Sequence, residues 1–221
     1  NRLAVENIKD KPVLSGCIGP FSLAGRLYDM SEIMVGIYIE PDVIKTLLDK
    51  CTAYITAYCR ELKAIGATGV IMAEPAAGLL SNEDCQEYST VYVRQIVEAV
   101  QDENFAVILH NCGNKGKCTQ AMIDSGAAAL HFGNAVNMVE ALEQCPSELI
   151  VMGNIDPVGI LKQATSEEVY RITTDLLSRT SQYKNFVISS GCDMPPLVPD
   201  ANIRAFYQAI ADFNTGKCTA P

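Results

Sequence analysis

The sequence lacks any apolar run suited to crossing a bilayer: its runs are short, and the segment from Gly66 to Leu80 is broken by Glu74 and Pro75, where a spanning helix needs about 20 apolar residues. No signal peptide is expected either. Basic clusters are also missing, with 17 Lys and Arg against 26 Asp and Glu and a formal net charge of -9. Binding to a phosphate backbone depends on basic residues displacing counterions, so the composition argues against a nucleic-acid partner. No glycine-rich turn of the GxGxxG kind follows the first apolar run, which counts against a dinucleotide fold. There is no low-complexity stretch and no short repeat. The nine cysteines lack the dense, regular spacing of a small secreted disulfide scaffold. A reducing cytoplasm is the expected setting, in which each thiol is by default a small buried hydrophobe.

What is present is apolar material for one sizeable core, 48% of 221 residues, read as a single domain over 1–221. Six short apolar runs end in polar or glycine residues: Val13–Ile18, Gly69–Ala73, Ala106–Leu109, Ala128–Phe132, Leu149–Met152 and Phe186–Ser189. Being apolar at nearly every position, they suit parallel strands covered on both faces. Helix-like stretches alternate with them. Pro41–Ile65 repeats apolar residues at three-and-four spacing (Val43, Ile44, Leu47, Leu48, Cys51, Tyr54, Ile55, Tyr58) and stops at Gly66. Thr165 and Glu168 have the spacing of a capping box ahead of a stripe of Val169, Ile172, Leu176 and Leu177, and another helix starts after Pro199 and Asp200. Repeated strand–helix units fit a doubly wound sheet or a (β/α)8 TIM barrel.

Two segments carry chemistry. Leu109-His110-Asn111-Cys112-Gly113-Asn114 sits where a buried strand gives way to a loop, the place where barrels build active sites. His110 and Cys112 alternate with Asn111, so in an extended segment both project to one side and can share a metal. Ser189-Ser190-Gly191-Cys192-Asp193 again follows an apolar run and makes Cys192 a third inward ligand. Imidazole plus two thiolates suits zinc, and three protein ligands leave a position for water or substrate. The plainer reading is a hydrogen-bonded histidine and inert buried thiols. Cys118, in Cys112-x5-Cys118, is a rival third ligand, expected to open the next helix and face away.

These residues, with Gly19-Pro20-Phe21-Ser22-Leu23-Ala24, Glu74-Pro75-Ala76-Ala77-Gly78-Leu79-Leu80-Ser81, Gly153-Asn154-Ile155-Asp156-Pro157 and Ser190-Gly191-Cys192, resemble the uroporphyrinogen decarboxylase superfamily nearly end to end. Within it they resemble the branch of methylcobalamin:coenzyme M methyltransferases and related corrinoid-dependent enzymes. The resemblance implies a barrel with zinc on His110, Cys112 and Cys192. It implies a thiol acceptor held as thiolate, which takes a methyl group from methylcobalamin carried by a partner corrinoid protein. The metal-free decarboxylase branch has a Tyr about where Arg26 stands, a His about where Cys192 stands, and an arginine-rich N-terminal motif absent here. Tetrapyrrole decarboxylation is the alternative within the superfamily, and a non-catalytic corrinoid-binding or scaffold subunit the alternative outside enzymes.

Glu74 ends the second run, so its carboxylate is expected to point into the same mouth, as a catalytic group, a fourth zinc ligand or a partner of the ligands. Helix capping or a salt bridge is the competing role. Asn154 and Asp156 end the fifth run and are candidates to contact a cofactor or to brace their loop. His131 is a core or mouth histidine with a contact to the site as its other role. Cys17 could line the pocket, and Cys51, Cys59, Cys85, Cys145 and Cys218 are read as packing or surface thiols. The family barrel has eight strands and this sequence begins just before what resembles the third. A fragment, a trimmed chain, or a protomer whose open edges a partner or a second copy covers is therefore expected.

Overall fold

The computed structural model describes residues 1–217, so Cys218 lies outside the described residues. The chain divides into two compact units, Asn1–Leu130 and His131–Pro221. The first contains α1 (Arg2–Asn7), β1 (Leu14–Ile18), α2 (Pro20–Tyr28), α3 (Met30–Ile39), α4 (Pro41–Ala64) and β2 (Gly69–Ala73). A 3-10 turn (Pro75–Leu79), α5 (Asn82–Cys85), a π-helical turn (Gln86–Thr90), α6 (Val91–Val100), β3 (Ala106–Asn111) and α7 (Thr119–Ile123) complete it. The division falls inside β4 (Ala129–Phe132), after which come α8 (Met138–Gln144), β5 (Ile150–Ile155), α9 (Ser166–Thr180), β6 (Phe186–Ser190) and α10 (Asp200–Asn214). No helix among the described residues is long and apolar enough to cross a membrane.

The six strands follow chain order in the sheet. Parallel neighbours joined by helices in strict succession are the topology of a β/α barrel, here with six strand–helix units. All six expected runs are strands. The third and fifth extend further than expected, so His110 and Asn111 belong to β3, and Asn154 and Ile155 to β5.

In the first unit the core gathers Phe21, Ile33, Ile44, Leu48 and Tyr88 beneath α2, α3 and α4. Of the expected stripe α4 buries Ile44, Leu48, Cys51 and Ile55, joined by Cys59 and Leu62, while Val43, Tyr54 and Tyr58 turn out to be exposed; the helix ends at Ile65–Gly66, where Gly66 takes a positive φ of 89°. In the second unit Thr165 caps α9 by accepting from Glu168 N at 3.3 Å. Asn202, at the start of α10, donates through Nδ2 to Leu161 O and Ala164 O at 3.0 and 2.9 Å.

Candidate metal centre

Strand register decides which way the candidate residues face. Ile18 pairs with Ala73, and Ala73 with His110. Paired residues of parallel strands project to the same side, so these three form one row. The opposite face lies under helices: Val70 and Met72 are fully buried, and the thiol of Cys17 meets that of Cys59 on α4. His110 therefore lies on the helix-free face, beside Ala73 in the row. Two residues on, Cys112 returns to that face, and a His110 ring nitrogen and Cys112 Sγ lie within 4.8 Å of each other. His110 is buried and Cys112 half-buried. An imidazole and a sulfur so disposed match the donors zinc prefers.

The loop that carries Cys112 is fixed by two asparagines to which the sequence reading gave no role. Asn111 Oδ1 accepts from Asn114 N at 2.9 Å, and Asn114 Oδ1 accepts from Gly116 N at 2.8 Å and Cys118 N at 3.0 Å. The Asn-x-x-Asn-x-Gly spacing, typical of side chains that close turns on nearby amides, was the available signal. Gly113 is required by close approach, because a Cβ there would overlap Pro75 O, and one at Gly78 would overlap the Gly113–Asn114 peptide. The loops after β2 and β3 thus pack backbone on backbone. Cys118 is fully buried at the start of α7, with Sγ 3.5 Å from Leu80 O and 3.8 Å from Ala77 O, so it faces the core as expected.

Glu74 takes the competing role, helix capping, and does not point into the mouth. Ala73 faces the helix-free side, so the next residue turns the other way, under α2. There Glu74 Oε1 accepts from Phe21 N at 2.7 Å and from Ser89 Oγ at 3.2 Å, and Oε2 accepts from Ser22 N at 2.8 Å. The carboxylate is only 1% exposed. Burial pushes its pKa up, while the hydrogen bonds from Ser22, Phe21 and Ser89 act in the opposite sense. Cys17 likewise faces the helices and borders a cavity of about 310 Å³ with Tyr54, Ile55 and Tyr58.

In the second unit, Cys192 is half-buried just beyond β6. Its approach is pinned by Gly191 N, which donates to Ile155 O at 2.7 Å. His131 Nε2 lies 2.8 Å from Ser189 Oγ and 2.9 Å from Ser190 O. Because β5 stands between β4 and β6, a side-chain contact from His131 to Ser189 must pass over one face of β5. Asn154 Nδ2 donates to Gly133 O at 2.9 Å and Val136 O at 2.7 Å. Asp156 Oδ1 accepts from Val158 N and Gly159 N, both at 2.9 Å. Both candidate cofactor contacts thus brace loops, and both also line a cavity of about 310 Å³ bordered by Asn134, Asn137 and Arg179.

Comparison with known proteins supplies a context for these residues. The family model described as uroporphyrinogen decarboxylase (URO-D) matches residues 2–213. A methylcobamide:CoM methyltransferase, MtbA, of Methanosarcina mazei is 27% identical over 207 residues, covering 93% of this chain and 59% of that protein. A uroporphyrinogen decarboxylase of Legionella pneumophila is 24% identical over 214 residues, covering 93% of this chain and 60% of that one. The chain therefore spans about three fifths of the length of these relatives. Among solved structures, a methyltransferase from Methanosarcina mazei aligns with a TM-score of 0.85 at 21% identity, covering 96% of this chain and 62% of its own. A B12-independent methionine synthase from Shewanella sp. W3-18-1 aligns with a TM-score of 0.68 at 17% identity, covering 95% and 64%. At these identities the two structures show a shared fold.

Proposed function

The chain belongs to the uroporphyrinogen decarboxylase (URO-D) family, and from that membership we propose that it serves zinc-dependent transfer of a methyl group from a methylated corrinoid protein to a thiol such as coenzyme M. His110, Cys112 and Cys192 are the protein ligands of the zinc in this reading. The observation that carries it is the pairing of a His110 ring nitrogen with Cys112 Sγ, within 4.8 Å, on the helix-free face of β3. Cys192 joins them because it too follows the end of a parallel strand and completes a one-imidazole, two-thiolate set. MtbA of Methanosarcina mazei, by its name, acts on a methylcobamide and CoM, and that similarity supports the donor and the acceptor.

When bound, zinc supplies a charge that holds a coordinated thiol as thiolate at neutral pH, so no separate general base is needed. The chain's own residues do the holding. Asn111 and Asn114 fix the loop that carries Cys112, and Gly191 fixes the approach to Cys192. Asn154 and Asp156 are assigned to bracing the loops after β4 and β5, since their polar atoms serve backbone groups there.

Metal analysis tests the reading. The purified chain should carry zinc, and His110→Ala, Cys112→Ala and Cys192→Ala should each weaken zinc binding by more than the ~10–100-fold typical of losing an outer partner. Unchanged affinity in Cys192→Ala would remove that residue from the set. Thiol-dependent loss of methylcobalamin absorbance tests the transfer itself. The similarity to the Legionella pneumophila enzyme keeps tetrapyrrole decarboxylation as the second reading. Turnover of a tetrapyrrole in the presence of a chelator is the result that would favour it.

A further inference from the structure

α2 begins without a cap of its own. Its N-cap residue is Gly19, and no side chain of the segment accepts from the first turn. The free N–H groups of a helix start carry partial positive charge and need acceptors. Two of them, Phe21 N and Ser22 N, take theirs from Glu74, 53 and 52 residues away. Gly19 leaves space for this: a Cβ there would sit 2.5 Å from Glu74 Cδ. The exchange is reciprocal, since Ser22 Oγ accepts from Ala76 N at 3.1 Å, and Ser89 Oγ adds a donor to the carboxylate.

The same residue is joined through its backbone to the proposed metal ligand. Glu74 N donates to His110 O at 2.8 Å, and one strand over Gly19 N donates to Ala73 O at 2.7 Å. The ends of β1, β2 and β3 are thereby stapled at one level, and the staple closes on the carboxylate of Glu74. His110 has little freedom of its own there, because its carbonyl is held from this side while Asn111 holds the loop beyond.

We propose that Glu74 is a positioning residue for the metal centre: its carboxylate, clamped to the start of α2, fixes the end of β2 and through Glu74 N the backbone of His110, without itself touching the metal. This rests on the zinc reading above. Its content beyond that reading is that metal affinity depends on a side chain that faces away from the ion, through a helix start that cannot cap itself. An outer partner of a metal ligand typically governs 10–100-fold of affinity.

Cobalt(II) is the probe, added to metal-free wild type and to Glu74→Gln under conditions where circular dichroism and urea midpoints show both folded. The thiolate-to-cobalt charge-transfer band reports the cysteine ligands, Cys112 and Cys192, and the visible ligand-field bands report the number and kind of ligands. Glu74→Gln should show both sets of bands unchanged in position and intensity at saturation, with half-saturation at about 10–100-fold more cobalt. Ser89→Ala, which removes one donor to the carboxylate, and Gly19→Ala, which displaces it, should move half-saturation the same way by less. These two variants carry the test if Glu74→Gln does not fold. Unchanged half-saturation in the folded variants overturns the inference while leaving the metal reading intact. Altered ligand-field bands in Glu74→Gln overturn it in another way, by making the carboxylate a ligand. A wild-type chain that binds neither zinc nor cobalt overturns the metal reading, and this inference with it.

Discussion

At the scale of single residues, Asn111, Asn114, Asn154 and Asp156 each serve backbone groups of the loops around the candidate site. Asn114 shows what that is worth. It has no exposed surface, and its Oδ1 serves two amides of the loop after Cys112. Asn114→Ala should cost about 1–3 kcal/mol of stability, the penalty for stranding buried donors, measured by urea unfolding. Gly113→Ala should cost a similar ~1–3 kcal/mol through overpacking against Pro75 O, with zinc affinity falling as Cys112 is displaced. Away from the site, the Lys63 ammonium beside Asp102, 2.6 Å away, holds that carboxyl below its ordinary value of 3.8. A depressed carboxyl pKa stabilises the fold above the unfolded value, and the gain is lost as pH falls through the folded value. The Tm difference between wild type and Asp102→Asn should therefore be present at neutral pH and vanish as the pH is lowered below about 3.8.

At the scale of elements, what could be read in the sequence depended on how clean the pattern was. α4 was legible because one stripe, from Ile44 to Leu62, is buried, although Val43, Tyr54 and Tyr58, counted into the same pattern, lie on its exposed side. α9 was legible from its cap, and Thr165→Ala should cost about 1 kcal/mol, read as a lower urea midpoint. α3 was not legible. Ile33 and Ile37 are buried, but Val35, Tyr38 and Ile39 on the same ten residues are exposed, so no single stripe stands out. Its start depends on Asp29, which takes a positive φ of 90° and accepts from Ser31 N and Glu32 N. The direction of Glu74 was illegible for another reason. Counting alternation from the end of an apolar run puts the residue at a strand end, but its face follows from the register of Ala73 against His110.

At the scale of the whole molecule, β1 and β6 stand at the two ends of the strand order. Apolar side chains on the strands are partly in water, with Leu14 37%, Ile71 39% and Val187 43% exposed. Unpaired strand edges bearing apolar residues invite pairing between copies. The molar mass read from light scattering of the isolated chain should rise with concentration, and Val187→Lys on β6 should reduce association while shifting Tm little. A monomeric molar mass that does not change with concentration in the wild type would contradict this.

By itself the sequence determined the six strands, the helices with clean stripes or caps, and the presence of His110 and Cys112 on one side of an extended segment. Each of these follows from periods of two or 3.6 residues, which are local properties of the chain. Tertiary structure decided between the roles the sequence left open for Glu74, which caps a helix more than fifty residues away, and for Asn154, which donates to Gly133 O and Val136 O, and it alone set Gly113 against Pro75. Those are hydrogen bonds and close approaches between distant segments. Their partners are set by how the strands align, and no local spacing records it.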